Sequence, residues 1–318
     1  MERRKILWLS AASLVVLIAI IETAATWLFA GPPAKKADWE NASKYLRRSF
    51  KKGDLLLFAP TWIGPTGRMH MGDLLDIHQM ARPDEAPFSR IWVVGLDGET
   101  RVETKKARLV SQNSFGNIQV SLFEKKTDLP LFDFYENLSK AQVRVLREDG
   151  SVEERCPFQP ARHRHQCNAG WNNVRQKIAE VDYSPRKCIY AHPVDGKILE
   201  IKYPKVKLGK RLVIYTGIDG YDSRYKARQA VYHTKNPKKR KGGGRQDPRA
   251  PRSLVDVTME VKIGNEKIMS VTHPIDDKWR RHVLDSSQKI GEETPVSFKV
   301  FTRWPYAKVF CFHAQTRE

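Results

Sequence analysis

Hydrophobic and polar positions divide the chain into stretches with different periodicities. Residues 6–30 are an almost unbroken apolar run behind Arg3, Arg4 and Lys5, with Glu22 as its one charge. A bilayer-spanning helix needs about 20 such residues, whereas a cleavable signal peptide has an apolar core of about 7–15. The run therefore predicts an uncleaved single-pass anchor, with a cleaved signal as the alternative. Glu22 either faces a polytopic partner within the membrane or marks the outer end of a shorter apolar core. Gly31-Pro32-Pro33 closes the run, and residues 31–52 read as a juxtamembrane linker. Within it, residues 38–50 suit a short amphipathic helix with Trp39, Tyr45, Leu46 and Phe50 on its drier side.

Beyond the linker the period changes twice. DLLLFA at 54–59 is a continuous apolar run of the kind found in buried strands. After the loop PTWIGPTG, the spacing Met71, Leu74, Leu75, His78 predicts one helix over 69–82, stopped by Pro83. SRIWVVGL at 89–96 is a second strand, so residues 53–130 form a small α/β portion built on a βαβ unit. Residues 117–124 add another strand. From residue 131 the period is two almost throughout. Residues 141–147, 188–192, 197–203, 211–216, 255–263, 268–271, 295–301 and 309–314 read as strands. Asp149-Gly150, Asp195-Gly196 and Gly264-Asn265 supply turn chemistry between them. The segment 157–171 is expected as a basic, irregular loop. The fold class is α+β: an N-terminal transmembrane helix, a small βα-containing portion, and a mostly antiparallel β-sandwich over 131–318.

The turn-linked strands from Arg186, the segment Asp277-Lys278-Trp279 before a late strand, and the closing strands PVSFKVF and KVFCFHA are similar to galactose-binding-like jelly rolls. The match covers residues 186–318. It implies a carbohydrate-binding or interaction module, and no family binding residue is carried over.

Charge sharpens this picture. The chain has 56 Lys and Arg against 36 Asp and Glu, a formal charge of +20, which calls for anionic surroundings. Anionic lipid or glycan fits an anchored protein better than nucleic acid does. The loop 235–252 is the most basic stretch; Lys238, Lys239, Arg240, Lys241 and Arg245 would meet an anionic surface. No aromatic residue is interleaved within that loop to stack bases, so nucleic acid is not expected. Four cysteines behind an export signal point to two disulfides. The expected pairs are Cys156–Cys167, a local clasp, and Cys188–Cys311, a staple between strands; four buried thiols are the alternative. The soluble part is thus placed outside the cytoplasm.

Candidate chemistry lies first in the βα turn. His70 and Asp73, at i, i+3, could share a helix face as base and orienter. Arg68, between Gly64 and the helix, could hold an anion. The plainer reading makes these residues caps and surface pairs. His163, His165 and Cys167 alternate as metal ligands do, but Arg162 and Arg164 between and before them repel a cation. No metal and no cofactor is expected. For stacking on sugar rings, Trp62, Trp171, Tyr221, Trp279 and Trp304 lie at or near loops. No GxSxG elbow, zinc-protease helix, Walker loop or dinucleotide fingerprint occurs. The balance leans away from an enzyme. The sequence reads as an anchored, extracytoplasmic binding or accessory protein of envelope glycan or lipid-linked sugar metabolism, with a polytopic membrane glycosyltransferase as possible partner. The alternative is a membrane-surface hydrolase or transferase using His70, Asp73 and Arg68.

Overall fold

The computed structural model describes residues 13–24, 34–170, 172–181, 184–194, 196–218, 257–273, 278–302 and 310–318. Residues 13–24, within the expected anchor, are helical and exposed. No helix among the described residues is long and apolar enough to cross a membrane, so they lend the span no support. The remainder of residues 1–30 lies outside the described residues.

The chain groups into two compact units whose segments interleave in sequence. One takes Met1–Lys52, Leu56–Gly72 and Ile91–Phe123; the other takes Gly53–Leu55, Asp73–Arg90 and Glu124–Glu318.

In the first unit, helix α1 (Lys36–Ser49) buries Trp39, Ala42, Ser43 and Leu46, an i, i+3, i+4, i+7 stripe. Trp39 and Leu46 of the expected drier side are thus buried within the protein. Tyr45 meets Trp92 edge-on at 6.3 Å and Phe115 at 5.6 Å. A four-stranded sheet in the order β1-β2-β4-β3 is built from β1 (Leu55–Ala59), β2 (Arg90–Leu96), β3 (Arg108–Phe115) and β4 (Ile118–Glu124). Between β1 and β2 the expected helix over 69–82 is broken into three. Helix α2 (Gly64–Met71) starts earlier, with Pro65 in its first turn, where a missing N–H is harmless. A 3-10 turn (Gly72–Leu74) follows, and then α3 (Ile77–Met80), which is part of the second unit. Gly72 and Asp73 are poor helix formers, and the apolar spacing across them did not hold one helix together.

The second unit holds two antiparallel sheets, built in chain order from β5 (Pro130–Asp133), β6 (Gln142–Leu146), β7 (Val152–Cys156), β8 (Phe158–Gln159), β9 (Arg164–Gln166), β10 (Asn173–Val181), β11 (Ser184–Ala191) and β12 (Ile198–Lys207). There follow β13 (Arg211–Ile218), β14 (Val257–Ile263), β15 (Glu266–His273), β16 (Arg280–Asp285), β17 (Glu293–Phe301) and β18 (Phe310–Arg317). The eight-stranded sheet runs β16-β13-β18-β11-β10-β9-β8, with β5 also on β18; the six-stranded sheet runs β15-β14-β17-β12-β6-β7. Their inner faces share one core, including Phe134, Tyr203, Phe298, Phe310 and Phe312. The fold is therefore mostly antiparallel and sandwich-like with few helices, as the period-two pattern predicts.

The stretch 157–171 corrects a second expectation. Instead of an irregular loop, β8 and β9 form the edge of the eight-stranded sheet, and β9 pairs with β10. The Cys156–Cys167 bond brings the ends of this segment to a Cα separation of 4.3 Å. The buried His165 ring lies 3.0 Å from both the Cys156 and Leu138 carbonyls.

Candidate functional site

The outer face of the six-stranded sheet carries the polar arrangement best suited to a ligand. Alternation makes that face. Leu199, Ile201 and Tyr203 of β12 point into the core, as do Val296, Phe298 and Val300 of β17 and Met259, Val261 and Ile263 of β14. The residues between them must emerge on the other side. Antiparallel register then aligns them in rows. Arg144, Glu200, Lys299 and Glu260 are successive partners across β6, β12, β17 and β14. The next row is Gln142, Lys202, Ser297 and Lys262.

The acids of the first row are paired, Glu260 with Lys267 of β15, the register partner of Lys262. Arg144 Nε donates to Glu200 Oε2 at 2.9 Å, Lys299 Nζ stands 4.0 Å from Glu200 Oε1, and Lys267 Nζ lies 3.3 Å from Glu260. The second row contains no acid. Lys202 and Lys262, both half-buried, have no ion-pair partner among the described residues, and the largely buried Ser297 hydroxyl between them has no hydrogen-bond partner there. A depression of about 170 Å³ opens over this row, closed at one end by the turn Gly264-Asn265. Gly264 has φ +62, a left-handed conformation that glycine adopts without strain; the turn leaves Asn265 exposed at the rim. Counting Arg144, Lys202, Lys262, Lys267 and Lys299 against Glu200 and Glu260, five cations face two anions, a local charge of +3. The site offers ammonium, hydroxyl and amide donors with one carboxylate acceptor. That inventory serves binding of a hydroxyl-rich, anionic ligand.

The residues singled out in the βα turn do not lie on one helix. His70 is in the last turn of α2; its ring stacks on Trp39 at 5.6 Å, and its carbonyl accepts from Ser43 Oγ at 3.0 Å and Arg47 Nη2 at 2.9 Å. Arg68 is exposed in α2, and Asp73 is exposed in the 3-10 turn that follows. Trp62 stands 67% exposed. Trp279 is held by packing: its indole N–H donates to the Ser184 carbonyl at 3.0 Å, and a Cβ on Gly217 would lie 2.7 Å from its ring. Trp171, Tyr221, Trp304, Lys238, Lys239, Arg240, Lys241 and Arg245 lie outside the described residues.

Both disulfides join the expected cysteines. Such bonds form and persist in oxidising, extracytoplasmic surroundings, and the chain suits that environment. Among the described residues, Glu154, Cys156 and Cys167 are the one group close enough to hold a metal ion. The two sulfurs are bonded to each other and cannot act as thiolate ligands. His165 likewise has both ring nitrogens committed to carbonyls.

A buried polar network underlies the eight-stranded sheet. On β18, Cys311, His313, Gln315 and Arg317 face away from the shared core yet are almost wholly buried. The segment Asp73–Arg90 contributes to their cover. Asp84 accepts from Arg317 Nη2 at 2.9 Å and from Tyr215 Oη at 2.6 Å, while the Lys187 N–H donates to Ala81 O and Arg186 Nη1 to Pro83 O. Burial by itself would raise the Asp84 carboxyl, but Arg317 and Tyr215 together hold it below the usual carboxylate range. Asp133 is likewise held low against the cost of its burial, by His313 Nε2 at 3.2 Å and Gln315 Nε2 at 2.6 Å. Apart from the buried Arg317 Nε, which has no hydrogen-bond partner among the described residues, these groups are held by one another, so the network anchors the strands.

The Lys202–Ser297–Lys262 row was missed in the sequence. Each lysine stands between two core residues of an alternating strand, a signal that marks it as outward-facing but not as a neighbour of the other. Register alone brings the three together.

An antiparallel two-sheet architecture with a cationic outer face is the class of structure defined here. No protein-family model and no curated protein matches the chain. Among solved structures it is similar to the tandem CBM51 modules of Sp3GH98, a family 98 glycoside hydrolase of Streptococcus pneumoniae SP3-BS71, at 13% identity and a TM-score of 0.29. That match covers 64% of this chain and 56% of the other, so the chain spans just over half of that structure. Carbohydrate-binding modules of the β-sandwich superfamily described for promiscuous specificity match at 8% identity and a TM-score of 0.30, over 66% and 70% of the two chains. The Stig cyclase Fisc of Fischerella sp. TAU matches at 10% and 0.27, over 55% and 86%. The neighbours thus include binding modules and an enzyme, and no ligand or activity is carried across from them.

Proposed function

We propose that this chain is a glycan-binding accessory protein, whose ligand lies across the outer face of the six-stranded sheet. One observation carries the reading: half-buried Lys202 and Lys262 flank the Ser297 hydroxyl in a depression rimmed by the Asn265 amide. Sugars present many hydroxyl groups, so a polar recess with both donors and an acceptor is a fitting counterpart. In this reading residues 6–30 anchor the protein, the disulfide-bonded part stands outside the cytoplasm, and the anchor raises its effective concentration at the membrane. A polytopic glycosyl-transfer enzyme is the partner that such an accessory would serve, and co-purification from detergent-solubilised membranes with and without residues 1–30 tests that part.

A glycan-array screen of the full chain, followed by titration calorimetry, tests the binding itself. Wild type and His70→Ala are expected to bind the same glycans, and Lys202→Gln/Lys262→Gln to lose them. Turnover of a glycan that disappears with His70→Ala would overturn the accessory reading in favour of a surface enzyme.

A further inference from the structure

The composition of the second row specifies more than a sugar. We propose that the site selects glycans carrying an oxyanion, seated over Ser297 between Lys202 and Lys262; this rests on the glycan reading of the same face. Covering two unpartnered ammonium groups with neutral hydroxyls removes water without returning charge, which opposes binding. An oxyanion reverses that balance through charge-assisted hydrogen bonds. Glu200 does not supply the missing negative charge, because Arg144 and Lys299 already hold it in the neighbouring row. Glu260 is engaged in the same way by Lys267.

Geometry favours one anion shared by both lysines. Lys202 and Lys262 lie on strands to either side of β17, two strand spacings apart, or about 9–10 Å between backbones. Their four-carbon stems are long enough to converge above Ser297, whose hydroxyl supplies a third donor from below. Three donors from three directions suit a sulfate or phosphate ester, and lysine, lacking the planar fork of arginine, also accepts a uronate carboxylate. Asn265, exposed at the rim, would then meet a hydroxyl of the same or the next sugar ring. Nucleic acid would present the same charge, but this row offers no aromatic ring on which a base could stack.

The test titrates the full chain with a neutral oligosaccharide, its sulfated form, its uronate-containing form and a single-stranded oligonucleotide. The sulfated form is expected to bind about ten-fold more tightly than the neutral one, the scale of one hydrogen bond to a charged group. That preference should fall below about two-fold in Lys202→Gln/Lys262→Gln, survive in Lys202→Arg, and weaken between about 50 and 500 mM salt. Lys105→Gln/Lys106→Gln, exposed in the other unit, controls for net charge and should keep it. Circular dichroism confirms that each variant is folded. Equal binding of neutral and sulfated forms, lost together in Ser297→Val, overturns the oxyanion inference and leaves the glycan reading standing. Binding of the oligonucleotide but of no glycan overturns both, as does the absence of any binding. A sulfate preference shared by the lysine double variant, or lost in the control, also overturns the inference.

Discussion

Removing the Asp84 carboxylate and its Arg317 partner together should destabilise the sandwich by less than the sum of the two single removals. Arg317 is 1% exposed and its Nη2 lies 2.9 Å from Asp84 Oδ1. In Asp84→Ala the guanidinium stays buried, with Gln315 Oε1 and the more distant Asp128 carboxylate, 3.8 Å from Nη1, as its remaining partners. Breaking a buried pair in this way costs about 3–5 kcal/mol. Asp128 is shared with Arg211 at 2.9 Å, so it compensates only in part, and the loss should fall near the lower end, about 3 kcal/mol. Tyr215 loses its acceptor at the same time. Arg317→Met alone leaves Asp84 buried with Tyr215 as donor, a cost of about 2–3 kcal/mol. The double variant removes both charges and should lose less than the sum of the two, with a coupling of at least about 1.5 kcal/mol. Urea unfolding of the full chain, followed by circular dichroism, measures the cycle. Additivity within about 0.5 kcal/mol would refute the reasoning, because it would mean that neither charge depends on the other.

Acid should act on the eight-stranded sheet and its cover in two windows. Asp84 and Asp133 both have folded values below the ordinary 3.8, so their contribution is fully present above 3.8 and is lost as pH falls through those lower values. His282, lowered from 6.5 first by burial and then by His273 and Arg280, contributes stability above 6.5 that fades as pH falls below it. Thermal melts against pH should therefore flatten near pH 6 in His282→Gln and below pH 4 in Asp133→Asn. Opening Cys188–Cys311, which spans 123 residues, should cost about 4–5 kcal/mol, and opening Cys156–Cys167, which spans 11, about 3 kcal/mol; melts of the paired Cys→Ala variants compare them. In Gly217→Ala the new methyl group would meet the Trp279 ring at 2.7 Å, and repacking should cost about 1–3 kcal/mol, visible as a lower urea midpoint and altered tryptophan fluorescence.

Period-two alternation was legible in the sequence because each strand carries it locally. Met259, Val261 and Ile263 announce one buried face without reference to any other strand. The cysteine pairs were legible for a related reason: few pairings exist, and the strand pattern favoured one of them. The helix over 69–82 was misread because an apolar spacing continued across Gly72-Asp73, where backbone preference ends the α-helix. The edge strands β8 and β9 were missed because they are three residues long or shorter, with no period to read. Nor could local pattern place His70 against Trp39 or hold Asp84 to Arg317, contacts between residues 31 and 233 positions apart. Which residues point inward or outward along each strand, and the strong positive charge, are written in consecutive residues and need no fold to be read. That Lys202, Ser297 and Lys262 stand side by side depends on strand order and register, which are fixed by the packing of the whole core.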